Sequence, residues 1–200
     1  MIPTAFCDLT VRGDLQKRMY ANLNRLEEAH YQPDAVFKTS EQNGGWDGDT
    51  EGRTILALTL EAQAAHRTPK YLAEILARLP QKLNAGGYFG PVYPGGVFCE
   101  QQLASHGWVL RALCELYAWK GEARILALVR TIIHNLALPG AGYYARYPIQ
   151  PEIRVGGGSF SGTHQNQVGE WLLSSDTGCV FIFLDGCRNL CPPIRRTGRR

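Results

Sequence analysis

Asp47 and Glu51 stand four residues apart in Gly44-Gly45-Trp46-Asp47-Gly48-Asp49-Thr50-Glu51-Gly52, where three acids and a tryptophan sit among four glycines. Two carboxylates held close together are equipment for general acid–base chemistry, because burial and mutual repulsion keep a proton on one of them. An aromatic face beside such groups suits a sugar: the ring stacks on its apolar face while carboxylates bind hydroxyls in pairs. Two later stretches repeat the combination. "CEQQLASHGW" carries Glu100, Gln101, Gln102, Ser105, His106 and Trp108. "THQNQVGEWLLSSD" carries His164, Gln165, Asn166, Gln167, Glu170, Trp171 and Asp176. The candidate catalytic acids are therefore Asp47, Glu51, Glu170 and Asp176. The candidate substrate contacts are Trp46, Asp47, Glu51, Gln102, His106, Trp108, His164, Gln165 and Trp171. Acids at the start of a helix also cap its first N–H groups, and Asp49 and Asp176 fit that role as well as a ligand contact. His106 likewise fits a hydrogen-bonded core histidine as well as a sugar contact.

The elements that must position these residues are helical. Leu15, Met19, Leu23 and Leu26 form one apolar stripe, with Asp14 as the expected N-cap. A loop of about 31–48 leads to the first motif, and "TEGRTILALTLEAQAAH" from Thr50 reads as a helix buried on most sides. Thr68-Pro69 opens its partner, in which Pro80 predicts a kink or an early end, and Ala85-Gly86-Gly87 closes the unit. The pattern then recurs: "SHGWVLRALCELYAW", a Gly121-Glu122 turn, "ARILALVRTIIHNLAL" and a closing Gly140-Ala141-Gly142-Tyr143. Ala64 with Leu72, and Ala118 with Leu126, superpose at an offset of 54, and the closing Gly-Tyr steps lie 55 apart. A third unit begins at Ser174, Ser175 or Asp176; Val180 to Phe183 alone would read as a strand, and the repeat context reads them as helix.

The fold expected from this is all-α, a repeat of helical hairpins forming part of an (α/α)6 toroid, with the motifs gathered at one mouth of the ring. The third hairpin lacks its second helix, and Pro192-Pro193 stops any continuation. Residues 1–186 are thus expected to be a partial domain and 187–200 an atypical basic tail, with a break in the pattern near Gly186. An uncovered edge of that kind favours self-association. Gly156-Gly157-Gly158 is followed by no P-loop lysine and reads as a loop over the mouth.

Composition narrows the classes. The chain is 44% hydrophobic and 20% charged, the balance of a globular protein. Its net charge of +3 comes from Arg195, Arg196, Arg199 and Arg200; setting these aside leaves 17 basic against 18 acidic residues, so a nucleic-acid partner is not expected. The six cysteines include no CxxC pair and read as buried thiols of a reducing compartment. The first residues lack the basic start and apolar core of a signal peptide, and no run has membrane-spanning length. A cytoplasmic protein without a membrane partner is the expectation.

A family resemblance adds to this reading. The Gly-Gly-Trp-acid motif opening an apolar helix, the Gly87-Tyr88-Phe89-Gly90 loop, and the His106-bearing helix continuing into "LRALCELYAWKGEARIL" resemble the N-terminal half of the (α/α)6-barrel glycoside hydrolases of family 127, the β-L-arabinofuranosidase group. The resemblance covers roughly residues 8–186. It implies a glycosidase whose sugar pocket is lined at the −1 position by Trp46, Asp47, Glu51 and His106. That family's acid/base glutamate, nucleophilic cysteine and zinc cluster lie in its later half. None of the six cysteines here has its Glu-x-Cys or Cys-Cys pattern, so no nucleophile or cofactor is carried over, and zinc belongs only to the half that this chain lacks. A non-catalytic carbohydrate-binding or helical-repeat interaction module is the competing expectation.

Overall fold

The computed structural model describes residues 10–38, 46–93 and 100–140. All regular structure among them is helical: α1 Gly13–Leu26, α2 Pro33–Val36, α3 Asp49–Ala65, α4 Leu72–Arg78, α5 Glu100–Lys120 and α6 Ala123–Ile132. Among the described residues no helix is long and apolar enough to cross a membrane. The expected third unit from residue 174, its strand-or-helix alternative, the Gly156–Gly158 loop and the basic tail lie outside the described residues.

Two helices make the centre. α3 buries Ile55, Leu58, Ala62 and Ala65 together with Gly52, Thr54 and Thr59, which leaves little exposed face. α5 buries Leu103, Val109, Leu110, Leu113 and Leu116 against it. Each fully buried leucine or isoleucine contributes about 1.5–3 kcal/mol by leaving water. The helices approach most closely at Gly52, where an added Cβ would lie 2.6 Å from the Val109 nitrogen and 2.8 Å from the Trp108 carbonyl carbon. Ten residues further along, Ala62 and Gln63 share a cavity wall with Trp119, so α3 and α5 run in the same direction.

The flanking helices are amphipathic. α6 turns back onto α5 after Gly121-Glu122 and buries Ile125, Val129 and Ile132, one side of a 3.6-residue period. α4 packs on α3 through Leu72 and Ile75, and α1 packs there through Leu23 and Leu26. The N-terminal end of the α1 stripe is not covered: Leu15 is 62% exposed.

Several boundaries differ from the sequence expectations. Asp14 does not cap α1; Arg12 holds the N-cap place and Asp14 sits in the first turn, 3.4 Å from Lys17 Nζ. The segment expected as a plain loop carries a 3-10 turn at Ala29–Tyr31 and the short helix α2, which Pro33 opens with its preset φ. α4 begins at Leu72 rather than at Pro69, and Pro80 ends it, the chain passing into a 3-10 turn over Leu79–Lys82. α5 starts at Glu100, five residues before the expected Ser105, so Gln101 and Gln102 are helical and buried rather than parts of an entrance loop. After α6 the helix widens to π geometry over Ile133–Ala137.

Candidate functional site

Gly48 sets the start of α3. Its φ of +93° belongs to the left-handed region, which only glycine enters without strain, and it occupies the N-cap position. A side chain there would also meet Phe89, Val109 and His106 at 3.4–3.5 Å. The Gly48 N–H donates to Glu51 Oε2 at 3.0 Å, so the helix start is satisfied by a carboxylate one turn on. Asp49, expected as the cap, is instead the first helical residue; its Oδ1 accepts from Arg53 Nε at 2.9 Å.

Glu51 is only 5% exposed. Burial raises its pKa from the ordinary 4.5 to about 7; its own N–H and that of Gly48 pull it down, and the neighbouring Asp47 and Asp49 charges push it up. The carboxyl therefore holds its proton well above the ordinary carboxylate range.

Opposite stands the loop 84–91, held rigidly by main-chain bonds. Asn84 Nδ2 donates to the Gly90 carbonyl at 2.8 Å, and Asn84 Oδ1 accepts from the Gly86 N–H at 2.8 Å. Asn135, in the π-helical segment, donates to the Gly86 carbonyl at 2.8 Å. From α5, Gln102 Nε2 donates to the Phe89 carbonyl at 2.8 Å and the Pro91 carbonyl at 2.9 Å. Gly90 lies between that amide and Asp47: a Cβ on it would stand 3.0 Å from Gln102 Nε2 and 3.2 Å from Asp47 Oδ2. The loop thus places Asp47, Gln102 and Gly90 side by side.

His106 is fully buried beneath the same loop. Its Nε2 accepts the Phe89 N–H at 3.0 Å, which fixes the hydrogen on Nδ1, and Nδ1 donates to the Gln102 carbonyl at 2.6 Å. Burial lowers its pKa to about 4, so it is neutral at physiological pH. Both nitrogens are engaged by main chain, and the ring stands edge-on to Tyr88 at 5.9 Å. In this arrangement His106 and Gln102 position the loop, Asp47 stays half-buried beside it, and the buried Glu51 carboxylate accepts from the Gly48 N–H.

Of the predicted residues, the structure gathers Asp47, Glu51, Gln102 and His106 around the α3 start, with Trp46, 39% exposed, leading into it. Trp108 lies half-buried on the far side of Gly52, with the Arg53 guanidinium 4.7 Å above its ring. Trp108 Nε1 is buried without a hydrogen-bond partner among the described residues. Glu170, Asp176, His164, Gln165 and Trp171 lie outside the described residues. Phe89, Gly90 and Arg53 enter the site without having been singled out; the Gly-Tyr-Phe-Gly spacing was the available signal for the loop. Among the described residues no three His, Cys, Asp or Glu side chains gather as a metal site. No protein-family model, curated protein or solved structure matches the chain.

Proposed function

We propose that the mouth formed by Trp46, Asp47, Glu51 and the 84–91 loop binds a sugar and hydrolyses a glycosidic bond, as part of an (α/α)6 toroid built from helical hairpins. The observation that carries this reading is the buried Glu51 carboxyl, its pKa raised by burial to about 7, with the acidic Asp47 beside it. A general acid must hold a proton at working pH and release it to a leaving oxygen, which a pKa of about 7 permits. Asp47, half-buried and next to Gly90, would serve as the second carboxylate. Two such groups support hydrolysis without a cofactor. Trp46 supplies the exposed aromatic platform.

A non-catalytic carbohydrate-binding module is the second reading, favoured by the bond that Glu51 makes to Gly48: a carboxylate already capping a helix has a structural occupation. A panel of chromogenic aryl glycosides, with calorimetric titration of the corresponding sugars, separates the two. Turnover by the parent chain, lost in Glu51→Gln while sugar affinity is retained, supports the hydrolase. Saturable binding that depends on Asp47 without any turnover supports the module. Neither turnover nor binding removes both.

A further inference from the structure

A cavity of about 280 Å³ opens on the other side of α3, between its first two turns, the end of α1 and the Ala29–Tyr31 turn. Its floor is apolar, made by Leu26 and Ala57. The polar side chains on its wall are Arg25, Tyr31, Thr50, Arg53 and Thr54, and among the described residues no acid lines it.

The charges there are unevenly compensated. The Arg25 guanidinium bonds only neutral oxygens, donating to Tyr31 Oη at 3.1 Å and Asn22 Oδ1 at 3.4 Å. Its Cζ also lies over the Tyr31 ring, 5.7 Å from the centroid. Among the described residues no carboxylate lies within ion-pair reach of it. Glu27 pairs with Arg67, Glu28 faces His30, and Glu61 accepts from Asn22. Arg53 is paired with Asp49, but through Nε alone, so its two terminal nitrogens still have hydrogens to give. Tyr31 accepts from Arg25 and so keeps its own phenolic proton for a further acceptor. A mainly apolar hollow whose rim carries one guanidinium without a carboxylate partner among the described residues, together with a phenol and a hydroxyl, is the complement of an oxyanion on a compact apolar body.

We propose that this cavity binds a small oxyanion, a carboxylate or a phosphate, with Arg25 as the principal ligand and Tyr31, Thr50 and Arg53 as supporting donors. At about 280 Å³ it falls just below the range of drug-sized pockets, roughly 300–1,000 Å³, which suits a group of monosaccharide size. The cavity lies on the α1 side of α3, away from Asp47, Glu51 and the 84–91 loop, and Arg53, paired with Asp49 and stacked on Trp108, borders both sites.

Inorganic phosphate and glucuronate, titrated separately into the full chain in low-salt, phosphate-free buffer, test it by calorimetry and amide NMR. Saturable binding is expected, with shifted signals at Arg25, Thr50 and Ala57, and weakening as salt screens the charge. Arg25→Gln should lower affinity about tenfold or more, and Arg25→Lys, which keeps the charge but not the fork, should fall between. Arg25 is exposed, and an unchanged melting temperature in both variants shows that the fold is intact. Tighter glucuronate assigns the site to a carboxylate on a sugar-sized body, tighter phosphate to a phosphate ligand, and equal affinities to the oxyanion alone. Absence of saturation with both probes, or parental affinity in Arg25→Gln, overturns the proposal.

Discussion

Glu51 keeps its proton first because its carboxyl is buried, and second because Asp47 and Asp49 place like charge beside it, against the pull of the Gly48 N–H. Asp47→Asn removes one of the two repelling charges and leaves burial untouched. The Glu51 pKa, read by carboxyl NMR, should therefore fall by less than about one unit. Under the proposed function, sugar affinity should drop while the melting temperature moves little, since Asp47 is only half-buried. A sharp loss of stability with unchanged affinity per folded molecule would make Asp47 a structural residue. Asp47 and Glu51 were legible in the sequence because their spacing and company are local. The role of Asp49 was not, because acids are common helix caps, whereas here the cap needs a φ of +93° that Gly48 alone supplies. His106 was legible only as an ambiguity. Its decisive partner, the Phe89 N–H, is 17 residues away, and no local pattern announces a contact of that length.

Between elements, the crossing of α3 and α5 depends on the missing side chain of Gly52. A Cβ there would strike the Val109 nitrogen and the Trp108 carbonyl carbon, backbone atoms that no rotamer change can move aside. Gly52→Ala adds about 1 kcal/mol of helix propensity, but separating two packed helices costs about 1–3 kcal/mol or more. Net destabilisation is expected, seen as a melting temperature several degrees lower and a reduced denaturant midpoint at unchanged slope. An alanine variant as stable as the parent would mean that the helices do not meet at this point. The two buried helices were readable from their apolar runs, and the turn at Gly121-Glu122 from its composition. The start of α5 at Glu100 was not, because Gln101 and Gln102 look like loop residues. They are accommodated in a buried helix because the Gln102 amide reaches two loop carbonyls. The π-helical widening at Ile133–Ala137 and the one-turn helix α2 have no distinct sequence period either. The helical class is what the structure carries among the described residues; the hairpin repeat and the toroid rest on the proposed function.

For the whole molecule, Glu51 and His106 give acid stability two opposed contributions from one small region. Glu51 has a folded pKa of about 7 against an ordinary 4.5, so folding favours its protonated form. Its stabilisation is complete below about 4.5 and is lost as pH rises toward 7. His106 has a folded pKa of about 4 against an ordinary 6.5, so folding favours its neutral form. Its stabilisation is complete above about 6.5 and is lost as pH falls toward 4. Between pH 4.5 and 6.5 the unfolded chain holds the histidine proton and the folded chain holds the carboxyl proton, so the two slopes nearly cancel. The parent chain should therefore show little pH dependence from these groups across that window. Glu51→Gln keeps an acceptor for the Gly48 N–H and removes one titration. Its unfolding free energy should rise with pH by about 1.4 kcal/mol per unit relative to the parent. His106→Gln should be less stable throughout, because it loses the Phe89 and Gln102 bonds. Its difference from the parent should nevertheless widen with rising pH at a similar rate, because the unfolded chain gives up its carboxyl proton while folded Glu51 keeps its own and no histidine titration offsets it. Urea titrations at half-unit pH steps measure both slopes. Parallel pH profiles for parent and variants would show that these two groups titrate alike in the folded and unfolded chain, and the burial argument for Glu51 as an acid would fall with them.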